Sequence, residues 1–486
     1  MEPSKVMTPK ALPMRAKAKL SSLAALLLAS SVFAAPACAE TLTIGIGTQD
    51  TTTNTATVGT VIRELGLLQK FLPHTGKYAN IKYDIEWQNF TSGPPVTNGM
   101  MADKLQIGMM GDYPLVVNGY TFQHNPQSKS ELIAVAAYNL QGSGNGVDVN
   151  VNSPYYTLED LKGKTISVPF GSAAHGMLLK AMQDHGWPQN YFTLVNQSPE
   201  VGSTNLQEGK IDAHADFVPF PELLAFKGFA RKIFDGSQAG VPTWHGVVVR
   251  TDFAKKYPEV VEAYLKAILA ANAWLKKDPV AASLQISKWT GTPAQIVYMY
   301  LGPDGLMTVD PTLKPVLVQA AETDAGVLQK LGKIRDFNIA SWVNDSYLRA
   351  VYKQDGLNYD QQLASTSNYN ITGQDTFCNK PITNPRQAGE LWVDGSGVNA
   401  YSSTLCTLGA YNALTKQGKK ISMTYVFDAK SGMILFGEQA FYDVSKAGGT
   451  LVIKPFLRKP DAEAQASADG GKVMDFTQTL AAVQGS

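Results

Sequence analysis

From residue 41 to about residue 356, short apolar runs alternate with amphipathic helical stretches, and this alternation limits the fold more than any other feature. Strands that each hand over to a helix pair largely in parallel, within a sheet covered on both faces. Residues 41–47 alternate apolar with small side chains and read as a strand, 57–71 as the helix after it, and 81–90 as a second strand. Residues 105–110 form a buried strand ended by Gly111, and 165–169 a strand that runs into Gly171, Ser172 and a helix over 173–185. Residues 247–250 give a further strand, with Asp252 capping one long helix through Val260, Tyr264, Ile268 and Trp274. The fold class that follows is α/β.

The pattern fades over 357–375, where Gln361, Gln362, Ser365, Thr366, Ser367, Asn368 and Asn370 leave almost no apolar periodicity, so the α/β unit over 40–356 is followed by a linker. Strands over 390–393, 422–428 and 433–436 with a helix over 403–416 then predict a small α+β domain spanning 376–459. The stretch 460–486 is rich in Ala, Asp and Gly and reads as a mobile tail.

The first 39 residues have the order of a secretory signal peptide. Lys5, Lys10, Arg15, Lys17 and Lys19 make a basic leader, 20–35 an apolar stretch, and Ala37, Cys38, Ala39 a small-residue exit. Export is expected, with lipid attachment at Cys38 disfavoured by the Ala35, Pro36, Ala37 approach. The leader holds 5 of the 42 Lys and Arg and 1 of the 41 Asp and Glu, which leaves the remainder at 3 net negative charges. That balance argues against a nucleic-acid surface. Cys378 and Cys406 are the thiols left after the leader, and in an oxidising compartment such a pair is most simply a disulfide, worth about 3.5 kcal/mol on a chain-entropy account. No later apolar run reaches the roughly 20 residues of a membrane helix, so the mature chain is not expected to span a bilayer.

Three turns are candidate ligand loops. Thr48 and Gln49 follow Gly45 and Gly47 at the end of the first strand; Gly111, Asp112 and Tyr113 precede a helix opening at Pro114, which Asp112 is placed to cap; Gly171, Ser172, Ala173 and His175 open another helix. Unpaired helix N–H groups, small residues and hydroxyls together predict a crevice lined by helix N-termini and suited to a small anion. His175, His214 and His245 lack the spacing of a metal set and read as hydrogen-bonding residues. Asp212, His214 and Asp216 alternate along a strand and read as a polar strand end beside the crevice, while Trp244 is chosen to cover the organic part of a ligand. G-x-S-x-G and H-E-x-x-H are both absent, and the GSGNG run over 142–146 lacks a following Lys-Ser or Lys-Thr, so it reads as a loop or hinge and catalysis is not expected.

The runs TLTIGIGTQ, MADKLQIGMMGDYPLVVNGY, LEDLKGKTISVPFGSAAHGMLL, LQEGKIDAHAD and VVVRTDFAKKYPEVVEAYLKA together resemble periplasmic substrate-binding proteins of nitrate, sulfonate and taurine ABC transporters. The resemblance implies two α/β lobes of the type II kind that close by a hinge, with Thr48, Gln49, Gly111 to Tyr113 and Gly171 to His175 on the cleft loops. It further implies a periplasmic location, a small anion as ligand (aliphatic sulfonate or taurine, or nitrate), and an ABC permease with a cytoplasmic ATPase as partners. An enzyme of the thiamine-pyrimidine type shares the fold, but the leader and the lack of a CCCxC or histidine-rich segment count against it. FCNKPI, LWVDGS, CTLGAYNAL and TYVFDAKSGMILFGEQAFYDV resemble the NosL-like copper-carrying lipoproteins of nitrous oxide reductase assembly. That second resemblance leaves a periplasmic copper chaperone or sensor as the alternative function, with Cys378 and either Met423 or Met433 as Cu(I) ligands unless Cys378 is bonded to Cys406.

Overall fold

A computed structural model of the chain describes residues 40–366 and 369–485. The leader with Cys38, and Ser367 and Asn368 of the expected linker, lie outside the described residues. The first lobe opens with strands β1 (Glu40–Thr48), β2 (Ile81–Asn89), β3 (Ile107–Gly111) and β4 (Ser130–Asn139). The chain then crosses to a second lobe containing β5 (Gly146–Asn150), β6 (Thr165–Val168), β7 (Thr193–Asn196), β8 (Ala213–Asp216) and β9 (Ala230–Asp235), and returns as β10 (Thr243–Arg250).

Both lobes use one plan. The sheet orders are β2-β1-β3-β10-β4 and β7-β6-β8-β5-β9, with three parallel strands followed by one antiparallel strand in fourth place. In each lobe that antiparallel strand is the one that has just crossed over, β10 into the first and β5 into the second. The GSGNG run is the first crossing, and it lies against the second: a Cβ on Gly142 would stand 2.3 Å from the Val241 carbonyl oxygen and 2.8 Å from that of Gly236. Glycine at φ +92° is what lets the two backbones approach there.

Several sequence expectations are corrected. The helix expected over 57–71 is two short ones, Gly59–Glu64 and Leu67–Phe71, separated by left-handed Gly66. The long helix beginning at Asp252 is also two, Thr251–Lys256 and Pro258–Lys277, because Pro258 cannot continue the first but starts the second well. Asp252 does not cap either; its carboxylate pairs with Arg250 at 2.6 Å. The linker carries a helix, Tyr359–Ala364, whose Tyr359 is buried and whose last carbonyls accept from the buried Lys314 ammonium. The expected mobile tail is the helix Lys459–Asp469, the strand Lys472–Met474 and the helix Phe476–Gln484, docked through Ala462, Ala466 and Phe476.

The C-terminal unit therefore reaches residue 485. It has one antiparallel sheet of Gly389–Val393, Gly397–Tyr401, Ile421–Phe427 and Ile434–Phe436, and a second of Phe441–Ala447, Thr450–Phe456 and Lys472–Met474. The helix Thr404–Lys416 packs on them, and Cys378 is bonded to Cys406. Trp392, Met423, Tyr425, Phe427, Ile434 and Phe436 share one continuous core with the first lobe.

Candidate functional site

The carboxyl ends of the parallel strands in the two lobes face each other and touch. A Cβ on Gly111 would lie 3.2 Å from Cβ of Ala173, one on Gly171 3.1 Å from Pro94, and one on Gly176 2.4 Å from the Tyr113 ring. Thr51 Oγ1 lies 3.4 Å from Glu200 Oε1 across the same gap. The cleft expected from the sequence is thus bounded by Gly111 and Tyr113 on one side and Gly171, Ala173 and His175 on the other.

Its electrostatics differ from three open helix N-termini. No helix follows Thr48 and Gln49 directly; the chain runs through the buried Thr52, Thr53, Asn54 and Thr55 before Gly59. Thr48 Oγ1 donates to the Gln88 carbonyl and Gln49 Nε2 to that of Met109, so both side chains are spent inside the first lobe. The helix after β3 starts at Asp112 rather than Pro114, and Gly111 occupies its cap position. The Asp112 carboxylate holds the first-turn N–H of Tyr113 at 2.7 Å and also accepts from Thr243 Oγ1 (2.8 Å) and the Trp244 N–H (3.3 Å). Burial lifts its carboxyl to about 6, against the pull of those hydrogen bonds. Beside it, a water-sized cavity of about 20 Å³ lies between Asp112, Ala173, Lys180 and Asp324. Asp324 is half-buried, with its Oδ2 buried and unpartnered, and desolvation together with Asp112 raises its carboxyl well above the ordinary range.

The helix Ala173–Asp184 is the contrast, since its first turn carries no acidic residue. Ser172 caps it, with Oγ accepting the His175 N–H at 3.2 Å. The N–H of Gly171, at φ +79°, donates to His175 Nδ1 at 3.0 Å, so the proton of the neutral imidazole sits on Nε2. Burial, reinforced by Lys333, lowers His175 to about 4 and keeps the ring neutral at physiological pH. Phe170 stacks on it at 4.9 Å and the Tyr113 ring meets it edge-on at 6.3 Å.

Two expected site residues fall elsewhere. His214 is buried inside the second lobe, bonded to Ser167 Oγ (2.6 Å) and Asp216 (2.9 Å) under Gly202. Trp244 is packed in the first-lobe core with Leu115, Tyr138 and Leu317. Its neighbour His245, on the opposite face of β10, is the group the sequence reading left out of the cleft. It pairs in register with Gly111, its ring carbon and Nε2 lie 3.8 and 3.9 Å from where a Gly111 Cβ would stand, and its Nδ1 is buried without a partner. Burial alone lowers it to about 4. The copper set does not assemble. Cys378 Sγ is held in the disulfide, near Asp375, while Met423 and Met433 pack against the core shared with the first lobe.

Residues 122–282 match the NMT1/THI5 like family. The taurine-binding periplasmic protein of Escherichia coli (strain K12) is 30% identical over 221 residues, covering 43% of this chain and 65% of that protein. In sequence the two-lobed unit is similar to this periplasmic binding protein. A protein of Bacillus subtilis (strain 168) described as a putative aliphatic sulfonates-binding protein is also 30% identical, over 196 residues, 40% of this chain and 56% of that one. The chain thus spans somewhat under two thirds of the length of these relatives. Among solved structures, the alkanesulfonate-binding protein SsuA from Xanthomonas axonopodis pv. citri, bound to MOPS, superposes with a TM-score of 0.52 at 20% identity, covering 63% of this chain and 99% of that one. The first two lobes have that two-lobed fold, and the C-terminal unit lies outside the matched part. Among the described residues no helix is long and apolar enough to cross a membrane.

Proposed function

We propose that this chain is the periplasmic substrate-binding component of an ABC importer for a small sulfonate. It captures the anion between its lobes and presents the closed form to a membrane permease driven by a cytoplasmic ATPase, without turning its ligand over. The observation that carries this reading is the acid-free first turn of Ala173–Asp184, with Ser172 at its cap and the neutral His175 beside it, facing His245 and Gly111 of the other lobe. Helix N–H groups and neutral donors replace water around a monoanion without requiring an arginine. The names of the relatives, taurine and aliphatic sulfonates, favour a sulfonate over nitrate. The acidic end of the cleft at Asp112 and Asp324 suits an amino group on the same small molecule, which favours taurine over a simple alkanesulfonate.

Closure supplies the affinity, because donors from both lobes meet the ligand in the closed state alone, and ligand shifts the population toward that state. The test is a thermal-shift and calorimetric series with taurine, ethanesulfonate and nitrate on the chain from Glu40 onward. A ligand at 100 times its dissociation constant adds about 2.7 kcal/mol. Taurine is expected to bind tightest, and Ser172→Ala to weaken it about tenfold, the loss of roughly one charge-assisted hydrogen bond. Unchanged affinity in Ser172→Ala would move the anion away from this helix, and binding of nitrate alone would replace the sulfonate.

A further inference from the structure

A cavity of about 450 Å³ opens where the C-terminal unit meets both lobes, beside the crossing segments and apart from the cleft. Its apolar walls come from all three units: Pro221 and Phe226 of the second lobe, Met299 and Leu306 of the first, Leu435 and Phe436 of the C-terminal unit. Ligand pockets are typically of this size, about 300–1,000 Å³, and combine apolar walls with a few placed polar groups. The charged groups here sort themselves into satisfied and unsatisfied. Glu222 accepts from both the Lys232 ammonium and the Tyr300 hydroxyl, and Lys232 also reaches Asp235 at 3.1 Å. Arg231 is held by the carbonyls of Ser153 (2.8 Å) and Tyr155 (2.9 Å) and lies over the Tyr156 ring.

Glu438 is what remains. Its side chain is exposed and lines the cavity, Oε1 accepts the Thr424 N–H at 3.1 Å, and among the described residues no lysine or arginine pairs with it. Counting Glu222, Asp235 and Glu438 against Arg231 and Lys232, the lining is one negative charge in excess.

We propose that this junction cavity is a second ligand site, for a small amphipathic amine whose apolar body lies on Phe226, Met299, Leu435 and Phe436 and whose ammonium meets the Glu438 carboxylate. The walls belong to both lobes, so the amine contacts each of them without entering the cleft. The site does not depend on what the cleft binds.

The experiment is isothermal titration of the chain from Glu40 onward with 2-phenylethylamine, using 2-phenylethanol and 3-phenylpropionate as matched probes. The amine is expected to bind at least tenfold tighter than the alcohol, and the acid not at all. Glu438→Gln keeps the Thr424 hydrogen bond and should bring the amine down to the level of the alcohol. Phe226→Ala leaves the carboxylate in place and should weaken amine and alcohol alike. Titration in saturating taurine should still show the amine binding. An amine that binds Glu438→Gln as well as the parent, one that taurine displaces, or one that gives no binding up to millimolar concentration would overturn the assignment.

Discussion

The two lobes meet each other and the first lobe meets the C-terminal unit through surfaces of opposite character. Across the cleft the contacts are small or polar: glycines against Tyr113, Ala173 and Pro94, and Thr51 against Glu200. At the seam with the C-terminal unit, Trp392, Tyr425 and Phe436 lie in one apolar core with the first lobe, and the Tyr298 hydroxyl donates to buried Glu390 at 3.0 Å. Parting the first surface exposes little apolar area, whereas parting the second exposes several aromatic rings, at roughly 25 cal/mol per Å². Lobe motion is therefore expected at the cleft, with the C-terminal unit moving as part of the first lobe. Its contacts with the second lobe are lighter and include the Gln439 amide on the Ala225 carbonyl, the ring pairs Phe226–Phe436 at 6.0 Å and Tyr156–Phe441 at 6.5 Å, and Lys459 over Tyr156 at 5.0 Å.

The most damaging test of that contrast is Trp392→Ala. Removing a buried tryptophan from a shared core should cost about 3–5 kcal/mol and lower the melting of the first lobe together with the C-terminal unit. Calorimetry decides the matter: if the C-terminal unit melts early while the lobes keep their transition, the seam is an interface between independent domains.

Acid–base behaviour separates the two surfaces as well. Glu390 is raised from its ordinary 4.5 to about 8, chiefly by burial. Between those values the folded chain holds a proton that the unfolded chain has released, so stability at this site is greatest below pH 4.5 and falls as pH rises toward 8. His175 and His245, lowered to about 4, act the other way: the unfolded chain gains protons first, and stability falls as pH drops from 6.5 toward 4. Glu390→Gln keeps the acceptor for Tyr298 and cannot ionise. It should be nearly neutral at pH 5 and stabilise the protein by about 3–4 kcal/mol more at pH 8. Denaturant midpoints at the two pH values check this, and an equal change at both would show that Glu390 does not titrate with folding.

What the sequence made legible was local. Gly111 and Gly171 marked strand ends because a glycine and a helix start are encoded within a few residues, and Ser172 was identifiable at the start of a helix for the same reason. The tail reads as mobile in sequence because its first helix docks through alanine, at Ala462 and Ala466, which counts as little in composition, and Phe476 is a lone aromatic anchor beyond it. In β10 the choice between Trp244 and His245 turned on which face of the strand looks into the cleft. Period-two alternation says that the two point apart, but the partner strand and the opposite lobe decide which is which. The same holds for Asp112, whose place at the end of β3 was visible while Thr243 and Trp244, which hold its carboxylate, arrive more than a hundred residues later.

The finest test separates binding from folding at one atom. Gly176 lies inside the helix Ala173–Asp184, and its Cα faces the Tyr113 ring of the other lobe so closely that a methyl group would stand 2.4–3.0 Å from three ring and side-chain carbons. Within its own lobe, alanine is the better helix residue by about 0.5–1 kcal/mol. Gly176→Ala should therefore leave the melting temperature of the ligand-free protein unchanged or slightly raised, since an opened cleft relieves the clash. It should also weaken ligand at least tenfold, because the bound state needs the lobes together. Small-angle scattering with and without taurine reads the same event as a missing contraction. If Gly176→Ala binds as tightly as the parent, the lobes do not close along this helix, and the contrast between a parting cleft and a fixed seam fails at its most closely packed contact.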